Sequence, residues 1–177
     1  MQRNLIPGTA LLISLFFTSG PGAEMPPPDV VPHVDLSRYA GTWYEIASFP
    51  QRFQKDCADS KAVYTPQDDG TIAVLNSCFR NGKTDTAKGK AWVADKTTNA
   101  KLKVSFFWPV RGDYWIIELG KNYEYSVVAG PGRNSLWILA RSSTMDKSLY
   151  DAIVGRLQEQ GFDTAKLRLT EHRNGTN

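Results

Sequence analysis

Apolar and polar positions along this chain alternate in short bursts. Between residues 61 and 141 the bursts are KAVYT, TIAVLNSCF, TAKGKAWVA, AKLKVSFFW, DYWIIEL, YEYSVVAG and SLWILAR, rich in β-branched and aromatic residues and bounded by Gly, Pro, Asn or Asp. With GTWYEIASF at residues 41–49 in front, the pattern predicts eight strands. AKLKVSFF sets Lys101 and Lys103 on one face and Leu102, Val104 and Phe106 on the other, the mark of a strand with one wet face. DYWIIEL is apolar on both faces, so its outer side needs a cover. The period changes to helical in DKSLYDAIVGRLQEQGF, where Leu149, Ile153 and Leu157 share a stripe with Ala152 and Arg156 beside it, Asp146 is placed to cap the start and Gly161 to stop the end. KLRLT after it reads as one more short strand. Consecutive hairpins with a single late helix fit an all-β fold, an eight-stranded up-and-down antiparallel β-barrel with the helix packed outside, because closing the sheet removes its exposed edges.

The first 25 residues differ in kind. Arg3, the mostly apolar run from Leu5 to Phe17 and the small residues Ser19, Gly20, Gly22 and Ala23 read as a secretory signal peptide over residues 1–23. A membrane-spanning helix needs about 20 apolar residues, and Pro7 and Gly8 interrupt this shorter run. Residues 24–34, with Pro26, Pro27, Pro28 and Pro32, read as a stiff extended tether, residues 35–172 as the barrel domain and residues 173–177 as a tail. The chain is thus expected to be exported, periplasmic or secreted. Outer-membrane association is compatible with this, but no cysteine follows the leader for lipoprotein anchoring.

Export changes the meaning of the two cysteines. Cys57 and Cys78 flank the turn TPQDDG, and folding back at that turn brings them together across two strands, so a disulfide is expected. Composition excludes less: 21 Lys and Arg against 18 Asp and Glu, with no long run of like charge, mark no nucleic-acid partner. His33 and His172 lie in terminal segments and no Cys-x-x-Cys occurs, so neither a metal site nor a cofactor is expected, and haem is disfavoured.

Gly41-x-Trp43 opening the first strand, Tyr123-Glu124-Tyr125 opening a late one and Arg141 closing WILAR, in that order and before a helix ending in GFD, resemble the lipocalin family. The resemblance runs from about Asp35 to Thr170 and is nearest to the bacterial lipocalins and their apolipoprotein D-like relatives. It implies that Trp43 plugs the closed end of the barrel with Arg141 across its face. Gly41 is expected to leave room for neighbouring backbone. All three residues are then structural.

If Trp43 faces inward, alternation puts Glu45 and Ala47 inside and Tyr44 and Ile46 outside. Arg141 sets the parity of its strand, so Trp137 and Leu139 face in, joined by Leu102, Val104 and Phe106 and, more weakly, Tyr125 and Val127. Such a wall suits an acyl chain with its head group at the mouth. Glu45 needs a partner if buried, and a structural hydrogen bond is its expected role. The resemblance and the wall together imply a carrier of a small hydrophobic ligand, a fatty acid or lysophospholipid. An enzyme is not expected, since no histidine falls in a strand to serve as base. The competing reading is an interaction protein with a filled barrel, whose mouth loops, SFFWPVRGDY with exposed Phe107 and Trp108 among them, touch a partner or a membrane surface.

Overall fold

The computed structural model describes residues 25–173; the expected leader lies outside them. Eight strands run in sequence: β1 (Gly41–Ser48), β2 (Ala58–Pro66), β3 (Ile72–Arg80), β4 (Lys83–Val93), β5 (Lys101–Phe107), β6 (Val110–Leu119), β7 (Tyr125–Ala129) and β8 (Leu136–Ala140). Each pairs antiparallel with the next, and β1 pairs with both β2 and β8, which closes the sheet. A short β9 (Arg168–Leu169) adds to the far end of β1, where Ala47 faces Leu169. Hairpin connections put residues 49–57, 81–82, 108–109 and 130–135 at one end of the barrel, the mouth, and the other connections at the opposite end.

Helix α2 (Lys147–Glu159) is the cover that β6 demanded. Asp146 Oδ1 accepts from the Ser148 N–H at 2.8 Å to start it, and Gly161, at φ +81°, ends it. Ile153 and Leu157 are fully buried against Ile46, Phe49, Ile117 and Ile138 on the outer face of the sheet. Each such side chain contributes about 1.5 to 3 kcal/mol when taken from water. β6 serves both layers: Ile116 packs inside the barrel and Ile117 outside beneath the helix, with a register shift between Ile116 and Glu118.

The end opposite the mouth is plugged. A single turn, α1 (Leu36–Tyr39), capped by the Asp35 carboxylate, leads into β1. Trp43 is fully buried there, its indole N–H donating to Tyr39 O at 2.8 Å. The Arg141 guanidinium lies 3.8 Å from the Trp43 ring centre and donates to Thr42 O at 2.9 Å and Arg38 O at 2.6 Å. Gly41 adopts φ +93°, which disfavours any residue with a Cβ, and a Cβ there would stand 3.5 Å from Arg141 Nη1. The room that Gly41 leaves is therefore taken by a side chain, not by neighbouring backbone.

The proline-rich segment is extended but docked. Val31 N–H donates to Ile116 O at 3.0 Å, Val34 N–H to Thr98 O at 2.8 Å, and Val34 is fully buried. Prolines set the extended backbone, and the valines between them supply the apolar contacts that a free tether would lack.

Candidate functional site

Within the barrel lies a cavity of about 820 Å³, bounded by Tyr39 at the plugged end and by residues 130–135 at the mouth. Its lower wall is apolar, with Ile72 and Val74 from β3, Ala91 from β4, Leu102 from β5 and Leu139 from β8. Val104 and Phe106 continue β5 upward, and Trp137 stands above Leu139 on β8. The Phe106 ring lies across the backbone of β4 at Gly89, where a Cβ would fall 2.7 Å from it. Only glycine at that position lets the ring settle.

Three of the expected wall residues lie elsewhere. Ala47, Tyr125 and Val127 belong to the outer layer beneath α2. The cause for Ala47 is a bulge: β1 pairs Glu45 with Leu139 but Ala47 with Ile138, so one residue is absorbed and the inward parity passes to Ser48. On β7 the register sets Val127 beside outward Ile138 and Tyr125 beside Ala140, leaving Ser126 and Val128 inside. The Tyr125 hydroxyl donates to Glu118 Oε1 at 2.7 Å, and the same carboxylate pairs with Arg156 of α2.

Glu45 is buried on the inner wall and its carboxylate is held from three sides. Ser48 Oγ donates to Oε1 at 2.9 Å, Thr170 Oγ1 to Oε1 at 2.7 Å and Gln54 Nε2 to Oε2 at 2.7 Å. Gln54 Oε1 in turn accepts from the Trp137 indole at 3.1 Å, so the polar chain fixes the orientation of the largest ring in the upper wall. Beyond Ser48 of β1, its donors come from the mouth loop and from Thr170 just after β9, whose approach to β1 strand periodicity does not announce.

The cavity floor is a cluster of phenols that the sequence pattern left unassigned. Tyr39 shares its hydroxyl with Tyr114 at 2.8 Å and Ser126 at 3.0 Å, and the Tyr114 hydroxyl donates to Tyr64 at 3.0 Å. Burial pushes the Tyr39 phenol up to about 12 against the pull of its hydrogen bonds to Ser126 and Tyr114, and burial raises Tyr64 and Tyr114 as well. The floor is consequently neutral at physiological pH. Tyr64 and Tyr114 share strand parity with Ala62 and Ile116, so inward alternation from any one fixed residue would have found them.

Cys57 and Cys78 form a disulfide, and both line the upper cavity. At the rim Arg80 pairs with Asp85 across β3 and β4. Ser60 Oγ and Asn76 Oδ1 of the same wall are withdrawn from the surface without a hydrogen-bond partner in the protein.

Comparison with known proteins agrees with this architecture. A family model described as a lipocalin-like domain matches residues 34–172. Temperature-induced lipocalin-1 of Arabidopsis thaliana is 43% identical over 151 residues, 80% of this chain and 81% of that one. The outer membrane lipoprotein Blc of Escherichia coli (strain K12) is 36% identical over 166 residues, 92% of this chain and 94% of its own. Insecticyanin from the tobacco hornworm shares the fold, with a TM-score of 0.67 at 23% identity over 83% of this chain and 86% of that one. A closed eight-stranded barrel, an outer C-terminal helix, a plugged end and a match over the whole domain make this chain a member of the lipocalin family, on the branch of the bacterial lipocalins and apolipoprotein D.

Proposed function

We propose that the protein is an exported carrier that binds, transports or stores fatty acids or lysophospholipids in its barrel, in the service of envelope maintenance. The observation that carries this reading is the cavity itself: about 820 Å³ bounded below by Leu102, Leu139, Ile72 and Val74. That volume lies within the range of small-molecule sites, about 300 to 1,000 Å³. It also weighs against the competing reading of a filled barrel. The neutral phenolic floor suits the uncharged end of an acyl chain, while the polar and charged groups near the rim, Gln54, Arg80, Asp85 and Lys61 among them, suit a head group left at the mouth. The kinship with an outer membrane lipoprotein supports an envelope setting.

Titration with fatty acids and lysophospholipids of increasing chain length, followed by tryptophan fluorescence, tests the proposal. Affinity should rise with each methylene until the cavity is full, at up to about 0.8 kcal/mol per group. Trp137→Ala should weaken binding, because an indole on the wall offers contact area that alanine lacks. Equal, weak binding of all chain lengths, with no effect of Trp137→Ala, overturns the reading.

A further inference from the structure

The β5–β6 hairpin carries the most exposed aromatic surface among the described residues. Phe107 is 77% exposed, Trp108 69% and Val110 67%, and Pro109 between them is exposed too. Soluble surfaces scatter single apolar side chains, but a run of consecutive ones at a projecting tip marks a contact site. The patch does not end at the tip. Phe106, Phe107 and Arg111 line both the barrel cavity and an outer groove of about 630 Å³ that also takes in Trp92, Trp108 and Lys88. Apolar surface therefore runs unbroken from the outside of the hairpin over the rim and into the barrel.

Charge selects the occupant. Arg111 lies 4.7 Å from the Trp108 ring centre, so a cation sits at the base of the aromatic tip. Lys88 in the groove and Lys83, Arg52 and Lys55 on neighbouring mouth elements are exposed as well. Of the acids at this end, Asp85 pairs with Arg80 and Asp113 with Lys103 at 2.6 Å, while Asp56 stands exposed beside Lys55, so the basic groups outnumber the acids left to offset them. Aromatic side chains ringed by basic ones match the layering of a bilayer face, where indole and phenyl rings enter the interface and cations meet anionic head groups.

We propose that this hairpin docks the barrel, mouth first, on membranes containing anionic phospholipid. Phe107, Trp108 and Val110 enter the interface, and Arg111 and Lys88 pair with phosphate or other anionic groups of the lipid heads. The orientation brings the cavity entrance to the bilayer, so that a lipid passes between membrane and barrel over Phe106 without crossing bulk water. That last step rests on the lipid-carrier reading; the docking itself rests only on the surface.

The test uses the disulfide-bonded exported protein in co-sedimentation with vesicles of phosphatidylcholine alone or with phosphatidylglycerol added. Binding is expected to vesicles with phosphatidylglycerol, with a shift of tryptophan emission that Trp108→Ser removes. The triple variant Phe107→Ser, Trp108→Ser, Val110→Ser should bind at least tenfold more weakly. Arg111→Glu with Lys88→Glu should lose affinity for anionic vesicles by more than about fivefold per position, and added salt should weaken the wild type. Undiminished vesicle binding by the triple variant overturns the proposal. So does the absence of vesicle binding by the wild type, whether the patch then proves to join two copies in gel filtration or to hold a protein. Because Trp108 lines the outer groove and not the barrel cavity, Trp108→Ser alone should weaken docking while its affinity for a fatty acid in vesicle-free solution stays within about threefold of wild type. Loss of cavity binding through Trp137→Ala and loss of docking through Trp108→Ser are thus read separately.

Discussion

Replacing Arg141 by alanine tests the plugged end. The guanidinium stacks 3.8 Å from the centre of the buried Trp43 ring and donates to the carbonyls of Thr42, Arg38 and Tyr123. A partly desolvated cation–π contact is worth about 1 kcal/mol. Hydrogen bonds from a charged donor contribute about 1.5 to 3 kcal/mol each when buried, but Arg38 O is exposed and regains water, and the arginine itself is only half-buried. Removing the side chain should therefore cost about 2 to 3 kcal/mol, seen as a lower urea midpoint with an unchanged slope. Arg141→Lys restores a charge over the ring but not the three-carbonyl fork, so it should recover about half of the loss. Ligand affinity should hold in both variants, because the cavity begins on the far side of Tyr39. Wild-type stability in urea for Arg141→Ala would refute the account of the plug.

Alkali should unfold the protein through its floor. Between the ordinary phenol value of 10.0 and about 12 the unfolded chain ionises Tyr39 while the folded one keeps it neutral, so stability is full below pH 10 and falls as pH rises across that window. Each raised phenol contributes up to about 1.4 kcal/mol per pH unit, and urea melts of wild type and Tyr39→Phe at rising pH measure the slope. Thiol titration under denaturing, non-reducing conditions should find no free thiol, and replacing both cysteines by serine should cost about 3 kcal/mol for a loop of 21 residues. Glu45→Ala strips the acceptor from Ser48, Gln54 and Thr170 and should cost about 2 to 3 kcal/mol in urea, with Glu45→Gln costing less.

Strand periodicity carried the fold because each strand has one face in the cavity or core and turn residues at its ends. The outer helix was legible from Ile153 and Leu157, and from the unsatisfied second face of β6. What alternation could not reveal is a change of phase. The bulge that reverses Ala47 arises from pairing with β8, a contact between residues distant in sequence, and no local signal near Ile46 announces it. Register likewise decides β7: from the sequence, Tyr125 and Ser126 are equally fit to point inward, and only the partner Leu139 selects Ser126. The partners of Glu45 were hidden for another reason: Gln54 lies in a mouth loop without regular period, and Thr170 follows a short strand whose pairing with β1 joins residues distant in sequence.

The strand that is synthesised first is the one that completes the barrel last. β1 needs β8 to satisfy its second edge, with Tyr44 meeting Ala140, and so it waits for nearly the whole domain to be delivered. Until then the nascent protein is an open sheet with two bare edges, the condition in which strands recruit the wrong partners. Hairpins β2–β3 through β7–β8 form from neighbours and can assemble in passing, with Cys57 and Cys78 sealed early as a local staple. A chain stopped short of residue 136 would keep every hairpin but the last and still expose both edges, so the folding chain needs shelter until its final strand is in place.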